Sequence, residues 1–408
     1  MTEFKPKEKY QHLNKLGDII LQCISCGDCR EATDYTSEPQ KWGVCVARDH
    51  TSGFEAFFGR GKMQIIRSLW QGKLQLSKDL GEVMYQCPTC NACAETCAYD
   101  MDNAAIYEAL RAELIDVGCG LEAHIPMNKA MVELLNPYER DNKQKKDWLG
   151  KLDFKIKDAT KEKADVLYFV GCTAALTPEI QTVAINTAKI LKKLGIDYSV
   201  YGEYEVCCGS VAKRTGDLKA FNSVAKKNYE LFKKSGVKII ITSCAGCYRT
   251  LKTDYMDYME DLNIEVLHTI EFIYKIINEQ DIQLKHLGIT ATYHDPCHTG
   301  RNAGVKEDIN PLYEEPREIL RKIVNLVEMK TIKENTKCCG AGGGVKKGFP
   351  KLALEIAKSR VKEAEDTGAQ FLVSICPFCY RNLSDAIEDL NLNMKMVDLM
   401  ELIYQALS

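Results

Sequence analysis

The sequence predicts an α/β protein in which a helical N-terminal domain precedes two copies of an α/β domain. Two observations carry this prediction. After residue 163, short apolar segments typical of strands alternate with amphipathic helical segments, a pattern that favours parallel sheets. In the same region, one order of strands and cysteines occurs twice. We place the N-terminal domain at 1–136, a linker at 137–163, and the two copies at 164–285 and 286–408.

Each copy contains two predicted strands that run towards a cysteine. They extend from Val166 to Cys172 and from Val237 to Cys244 in the first copy, and from Thr290 to Cys297 and from Phe371 to Cys376 in the second. The sequence Cys247-Tyr-Arg-Thr-Leu recurs as Cys379-Tyr-Arg-Asn-Leu, which supports a duplication. Cysteines at strand ends lie where open α/β sheets bind ligands.

The segment between the N-terminal domain and the repeat is polar. It opens at Asn136-Pro137 and continues as a charge-rich run, which is typical of a domain boundary. We interpret its lysines, from Lys143 to Lys163, as a solvated linker in preference to a phosphate-binding patch.

Charge and hydropathy exclude several classes of protein. The chain has 54 Lys and Arg against 57 Asp and Glu, so it lacks the basic excess of a nucleic-acid-binding protein. No apolar run approaches the ~18 residues of a membrane helix. The charged N-terminus does not resemble a signal peptide. These features predict a cytoplasmic protein without direct membrane insertion, which reaches a membrane only through a partner.

Cysteine is the outstanding residue type, with 19 in the chain. An odd number, pairs two residues apart and two adjacent Cys-Cys pairs make a poor disulfide framework. In a chain without an export signal, this spacing indicates metal or redox chemistry.

The N-terminal domain carries two cysteine runs of the bacterial ferredoxin type. The first is C-x2-C-x2-C and the second C-x2-C-x2-C-x3-C, formed by Cys23, Cys26, Cys29 and by Cys87, Cys90, Cys93, Cys97. Such runs hold cubane [4Fe–4S] clusters, and in two-cluster ferredoxins the fourth cysteine of each run binds the other cluster. By that rule Cys97 completes the first cluster and Cys45 the second. The alternative is zinc, for which C-x2-C-x2-C is crowded.

Cys45 is the ligand with the weakest support from spacing. It follows Cys29 by sixteen residues instead of four. Neither Cys45 nor Cys97 is followed by the proline that usually closes such a run.

The repeat supplies two sets of five cysteines, C-x34-CC-x35-C-x2-C and C-x40-CC-x36-C-x2-C. Their members are Cys172, Cys207, Cys208, Cys244 and Cys247, then Cys297, Cys338, Cys339, Cys376 and Cys379. Five thiolates exceed the needs of tetrahedral zinc or of a cubane cluster. Either one thiol is spare or the cluster has an unusual shape. We interpret Gly209 and Gly340, which follow the Cys-Cys pairs, as room for the backbone beside the metal.

Both sets resemble the CCG domain, and the whole chain is similar to the D-type catalytic subunit of heterodisulfide reductase. The matching sequences are Gly171-Cys-Thr-Ala-Ala, Val206-Cys-Cys-Gly-Ser, Ser243-Cys-Ala-Gly-Cys, His294-Asp-Pro-Cys-His-Thr-Gly-Arg and Cys338-Cys-Gly-Ala-Gly-Gly-Gly-Val-Lys. The resemblance extends from Cys23 to Arg381 and implies a two-cluster ferredoxin-type domain followed by duplicated α/β CCG domains.

The resemblance also implies a function. Each five-cysteine set holds a noncubane [4Fe–4S] cluster, and the two clusters face one another around a disulfide, the heterodisulfide of coenzymes M and B. The ten CCG cysteines are then the catalytic set, and two cubane clusters feed them. The chain shows no flavin or haem motif of its own. We therefore expect electrons to come from a partner, which is either a membrane cytochrome b or a flavoprotein.

A second resemblance supports a different function. Phe57-Phe-Gly-Arg-Gly-Lys-Met-Gln-Ile-Ile-Arg-Ser-Leu is similar to the iron–sulfur subunits of glycolate and lactate oxidases. Those subunits carry electrons from a flavoprotein to a quinone. The alternative function is therefore an electron-transfer subunit for a flavoprotein dehydrogenase, including the electron-transfer-flavoprotein type. Retention of five cysteines in both copies favours disulfide reduction, since a relay needs no matched pair of unusual clusters.

A few further residues allow two interpretations. His298 and Arg301 could contact substrate, although such residues more often bond local carbonyls or cluster sulfurs. Lys346 either offsets cluster charge or lies at a solvated helix start. Cys119 is left over from the four sets and is interpreted as a buried spare thiol.

Overall fold

The computed structural model describes residues 10–34, 40–303 and 309–407. The chain forms two compact units. The first contains Met1–Ile125, Val211–Leu218 and Glu334–Arg360, and the second contains Pro126–Ser210, Lys219–Lys333 and Val361–Ser408.

The first unit is mainly helical and contains one antiparallel hairpin. The hairpin pairs β1 (Glu31–Asp34) with β2 (Gln40–Gly43). The α-helices are Gln11–Asn14, Gly17–Gln22, Val46–Asp49, Gly59–Trp70, Lys78–Tyr85, Ala92–Glu95, Asn103–Asp116 and Val345–Gly348, and short 3-10 helices span Glu55–Phe57 and Glu122–His124. The longest of these helices, Asn103–Asp116, begins where the Asp102 side chain accepts a hydrogen bond from the Ala105 N–H. It is buried along much of its length and passes through the core of this unit.

Four α-helices and one 3-10 helix contain residues of both units. The α-helices are Ile125–Glu133, Ser210–Thr215, Leu218–Ser235 and Pro350–Glu365, and the 3-10 helix is Lys333–Asn335.

The second unit contains two parallel sheets. The first sheet is formed by β3 (Lys157–Asp158), β4 (Val166–Tyr168), β5 (Tyr198–Val200), β6 (Ile239–Thr242) and β7 (Glu265–His268), in the order β3-β5-β4-β6-β7. The second is formed by β8 (Thr290–Tyr293), β9 (Asn325–Leu326), β10 (Phe371–Ser374) and β11 (Lys395–Asp398), in the order β11-β10-β8-β9. The strands β4, β6, β8 and β10 are those predicted to end at cysteines.

Helices connect or flank the strands of each sheet. They are the α-helices Cys172–Leu176, Gln181–Lys193, Ala245–Arg249, Met256–Met259, Thr269–Glu279, Glu314–Ile323, Pro377–Asp389 and Leu399–Ala406, the 3-10 helices Asn142–Lys151, Pro178–Ile180 and Gly202–Tyr204, and the π-helix Thr250–Asp254. Parallel strands need crossover connections, and helices are the usual ones. The predicted α/β class is confirmed by the two parallel sheets.

Both sheets contribute to one hydrophobic core. Tyr168 and Ile241 of the first sheet and Tyr293 and Val373 of the second belong to the same cluster of buried side chains. Strands that are buried on both faces have continuous apolar sequences, and for this reason they could be predicted from the sequence. The boundaries at residues 136, 163 and 285 remain predictions.

The duplication is also visible at the strand ends. His268 ends β7 and Asp398 ends β11, and each caps the helix that follows. Each cap is reciprocal, because the His268 N–H donates to the Glu271 carboxylate and the Asp398 N–H to that of Glu401.

The segment 137–163 is partly buried. Trp148 belongs to the core of the second unit, and Lys145 is also buried. The interpretation of the lysine run as solvated is therefore wrong for Lys145, whose ammonium group has acceptors inside the protein. Among the residues that the structure describes, no helix combines the length and apolar character needed to cross a membrane.

Candidate metal centres

Four cysteines of the first ferredoxin-type site surround one cavity of the first unit. Cys23, Cys26, Cys29 and Cys97 line it together with Cys93. The short loops of the first run hold its three thiols near one another, and Cys97 comes from the second run. Cys26 is exposed, so this cavity lies near the surface.

A second cavity in the same unit is lined by Cys45, Cys87, Cys90 and Cys93. Cys87 and Cys90 are buried. Cys45 therefore joins the second run in space, despite its unusual distance from Cys29 along the chain. The two four-cysteine groups are the ones that crossed ligation predicts.

The helix Gly59–Trp70 begins between these cavities. The Arg60 N–H donates a hydrogen bond to Cys29 Sγ over 3.0 Å. A Cβ atom on Gly59 would lie 2.9 Å from Cys29 Sγ and 3.4 Å from the Cys93 Cβ, so a side chain there would intrude on the thiols. N–H···S bonds of this kind are among the features that set iron–sulfur potentials.

Lys62 is a buried cation at the second cavity that sequence reasoning missed. Its side chain lines the cavity, and Nζ donates to the Ala56 and Val83 carbonyls, both over 3.1 Å. Burial lowers the Lys62 pKa, whereas the nearby Cys87 and Cys45 thiols raise it. The sequence signal that could have identified Lys62 is its position in the Phe57-Phe-Gly-Arg-Gly-Lys sequence.

Burial also governs the thiols. It raises the pKa of Cys45 to about 12 and that of Cys29 to about 12. Such thiols keep their protons at neutral pH unless a metal displaces them. Two groups of four cysteines around apolar cavities fit the ligand set of a cubane [4Fe–4S] cluster.

Replacement of Cys45 tests this grouping. We expect Cys45→Ala in anaerobically purified protein to lower bound iron from about sixteen to about twelve per chain, because one [4Fe–4S] cluster loses a ligand. Iron analysis and EPR measure the loss, and Cys119→Ala is the matched control that should retain all iron. Two unchanged cubane signals in Cys45→Ala would contradict the assignment.

The first CCG set forms a continuous series of interacting thiols in the second unit. In spatial order the series runs Cys172, Cys207, Cys208, Cys247 and Cys244, and each thiol lies close enough to interact with the next. Interactions with the neighbouring Cys207 and Cys247 thiols lower the pKa of Cys208 to about 6. All five cysteines of the first copy therefore lie at one place.

The Cys-Cys-Gly turn has the same geometry in both copies. Gly209 and Gly340 have φ angles of +82° and +87°, and their N–H groups donate over 3.4 Å to Cys207 Sγ and Cys338 Sγ. A Cβ on Gly209 would lie 2.8 Å from a Val224 methyl group. Glycine is thus required by the left-handed turn and by helix packing, in addition to any need for space beside a metal.

Two polar side chains fix the backbone of the first Cys-Cys pair. The Tyr255 hydroxyl donates to the Cys208 carbonyl over 2.9 Å, and the Asn228 amide donates to the Cys207 carbonyl over 2.9 Å. The Asn228 amide also donates to the Tyr255 oxygen over 3.0 Å. This buried network holds the pair in position.

The second CCG set is divided between the units. Cys338 and Cys339 belong to the first unit, whereas Cys297, Cys376 and Cys379 belong to the second. Within the second unit, ligand atoms of His294 and Cys379 lie within 4.8 Å of one another, and both residues are buried. Sequence reasoning named His298 and Arg301 in this segment and missed His294.

The two copies meet in the second unit at Cys244 and Cys376, whose thiols lie close enough to interact. The neighbouring Cys247 thiol lowers the Cys244 pKa, but the Cys376 thiol and burial raise it, so that the net shift is upward. A Cβ on Gly246 would lie 3.4 Å from Ser210 Oγ and 3.8 Å from His298 Nδ1. Polar groups of both copies therefore surround the Cys244 turn.

The remaining predicted residues differ in burial. His298 and Arg301 are buried. Lys346 is half-buried in the helix Val345–Gly348. Cys119 is half-buried at the edge of the core of the first unit, and so it is less buried than predicted.

The repeated segments match a known family. A profile of the cysteine-rich CCG domain matches residues 166–252 and 291–384. One solved structure, of a hypothetical protein from Helicobacter pylori, has a TM-score of 0.52 and 13% sequence identity, and the match covers 85% of this chain and 66% of that one. At that identity the similarity concerns the fold alone.

Two relatives match most of the chain. The D-type subunit of dihydromethanophenazine:CoB–CoM heterodisulfide reductase from Methanosarcina mazei is 38% identical over 94% of this chain and 93% of its own. EtfAB:quinone oxidoreductase from Syntrophomonas wolfei is 26% identical over 80% of this chain and 47% of its own. The chain therefore belongs to the family of D-type heterodisulfide reductase subunits and is an iron–sulfur oxidoreductase subunit of that type.

Proposed function

We propose that this chain reduces a heterodisulfide of two thiol coenzymes, of the coenzyme M and coenzyme B type. The observation that carries the proposal is that Cys244 of the first CCG copy lies beside Cys376 of the second, so that the two thiols interact. A disulfide has two adjacent sulfur atoms, so a reaction that separates them suits two metal sites that lie side by side.

The proposed ligands fall into four sets. One cubane [4Fe–4S] cluster is held by Cys23, Cys26, Cys29 and Cys97, and the other by Cys45, Cys87, Cys90 and Cys93. One noncubane [4Fe–4S] cluster is held by Cys172, Cys207, Cys208, Cys244 and Cys247, and the other by Cys297, Cys338, Cys339, Cys376 and Cys379. Bound clusters would supply single-electron transfer and iron that accepts sulfur as a ligand.

The reaction balances with two electrons and two protons. The S–S bond breaks, each sulfur gains one electron, and each resulting thiolate takes one proton to give two thiols. No cysteine nucleophile is needed. We assign hydrogen-bond donation to Ser210 and proton donation to His298, because Ser210 Oγ and His298 Nδ1 flank the Cys244 turn.

The electrons come from outside the chain. We propose that an electron-donating partner, a membrane cytochrome b or a flavoprotein, delivers them to the first ferredoxin-type site. That site includes the exposed Cys26, whereas Cys87 and Cys90 of the second site are buried. The more exposed site is the more accessible to a partner.

A second candidate function is electron transfer from a flavoprotein dehydrogenase to a quinone. The Phe57-to-Leu69 sequence and the relative named EtfAB:quinone oxidoreductase support it. In that function all four clusters act as relays, and the chain needs no site for a disulfide.

The deciding experiment measures turnover and EPR on one preparation of the full chain. With reduced viologen as donor and the coenzyme M–coenzyme B heterodisulfide as acceptor, we expect viologen oxidation. Added coenzyme thiol should also change one CCG EPR signal in the oxidised protein, since sulfur binds iron directly. Full iron content without turnover or thiol sensitivity, together with quinone reduction, would overturn disulfide reduction in favour of the relay.

A further inference from the structure

A lysine from the predicted linker is buried beside the first CCG set. Lys145 lies on the 3-10 helix Asn142–Lys151, and its side chain is 1% exposed. Its ammonium group lies near the thiols of Cys172 and Cys207. Buried lysines are rare unless their charge is compensated, so this one has a specific reason for its position.

The compensation comes largely from one residue, Glu205, which is two residues before the Cys-Cys pair. Lys145 Nζ donates to the Glu205 carbonyl over 2.7 Å and lies 3.7 Å from Glu205 Oε1. The Glu205 carboxylate accepts from the Val170 and Gly171 N–H groups over 2.8 and 3.0 Å. Glu205 is 2% exposed, so the ion pair is shielded from solvent.

The two charged groups of the Lys145–Glu205 pair have different neighbours at the first CCG set. The ammonium group lies near the thiol of Cys172, whereas the carboxylate accepts a hydrogen bond from the backbone N–H of Gly171. A fixed cation favours an added electron on a nearby redox centre, and a fixed anion opposes it. Since little water reaches the pair, these effects are weakly screened. Net charge and hydrogen bonds to sulfur are established determinants of cluster potentials.

We propose that Lys145 and Glu205 are positioning residues that set the reduction potential of the cluster held by the first CCG set. The proposal rests on the proposed function only in requiring a cluster there. At the position of Glu205, the second copy has Thr336, whose Oγ1 accepts from Arg360 over 3.0 Å. The first copy therefore has a charged carboxylate, paired with Lys145, at the position where the second copy has a neutral threonine.

The test is an EPR-monitored redox titration of the iron-loaded full chain. Lys145→Met should lower the potential of the first CCG cluster, because the carboxylate remains without its cation. Glu205→Gln should raise it, because the cation remains alone. We expect each shift to reach tenfold in the one-electron equilibrium, which is about 59 mV. The double variant should lie between the two single variants.

Two further variants separate tuning from folding. Lys145→Arg retains the charge and should keep the wild-type potential. Lys146→Met removes the neighbouring lysine, which is 51% exposed and pairs with Glu203, and should change nothing. The Cys339→Ser variant identifies the signal of the second set, which serves as an internal control in every titration.

The signs of the two potential shifts decide between a tuning role and a structural one. Unchanged potentials, or shifts of the same sign in Lys145→Met and Glu205→Gln, would overturn the tuning role, because a purely structural defect has no reason to follow the sign of the lost charge. Wild-type protein with about eight iron atoms and two zinc would overturn the clusters of the proposed function, and this inference with them.

Discussion

Cys208→Ser should abolish disulfide reduction by the full chain. Cys208 occupies the middle of the thiol series, where it interacts with both Cys207 and Cys247. Loss of this thiol removes the central ligand of the first CCG set. Residues that act as one catalytic unit have grossly non-additive effects, so we expect a loss of at least ~10³-fold.

Cys339→Ser should have an equally large effect through the second copy. Breaking a disulfide needs two electrons, so a single remaining CCG cluster cannot complete the reaction. Turnover with reduced viologen and heterodisulfide measures both losses, with iron content determined on the same samples. Cys119→Ser is the matched control, because Cys119 lies at the edge of the core of the first unit. Activity of about half the wild-type value in either variant would show that the copies work independently.

The cysteine sets could be predicted from sequence because their spacing is a local signal. Cys172 and Cys244 follow apolar segments that form β4 and β6, and strand ends in parallel sheets converge on one edge. The pairing of Cys45 with the Cys87 run required a rule from ferredoxins, since its own distance along the chain carries little information.

The charged residues around the sites could not be predicted in the same way. Lys145 belongs to a run whose composition is typical of a solvated segment, and its burial depends on acceptors that lie far along the chain. Lys62 and His294 belong to the segments that carry the family resemblances, yet only the folded structure places them beside cysteines. A cation's partners are set by tertiary packing, which spacing does not encode.

A buried arginine connects the two kinds of cysteine segment in the first unit. Arg111 is fully buried, and its guanidinium donates to the carbonyl of Cys87 over 2.7 Å and to that of Gly343, in the glycine run after the second Cys-Cys pair, over 3.0 Å. It also donates to the carbonyls of Met84 over 2.9 Å and Arg214 over 2.8 Å. Four chain segments thus share one side chain.

Arg111→Met should strongly destabilise the first unit. Methionine has a similar length but no donors, so four carbonyl oxygens lose a charged partner. At ~1 kcal/mol for each carbonyl, the expected loss is about 4 kcal/mol. For a domain of this size, the loss corresponds to a fall of roughly 10 °C in apparent Tm. Because Arg111 holds the Cys87 backbone, iron should be lost from that site at lower temperature.

The readout is the temperature at which the visible absorbance of the iron-loaded chain disappears, since loss of clusters makes unfolding irreversible. Arg321→Met is the matched control: Arg321 is 54% exposed and pairs with Glu314 over 3.4 Å. An exposed pair contributes ~1 kcal/mol or less, so this variant should remain close to wild type. If Arg111→Met lost its absorbance at the same temperature as Arg321→Met, the four hydrogen bonds to carbonyls would not be what holds these segments. Water or neighbouring N–H groups would then have replaced the guanidinium.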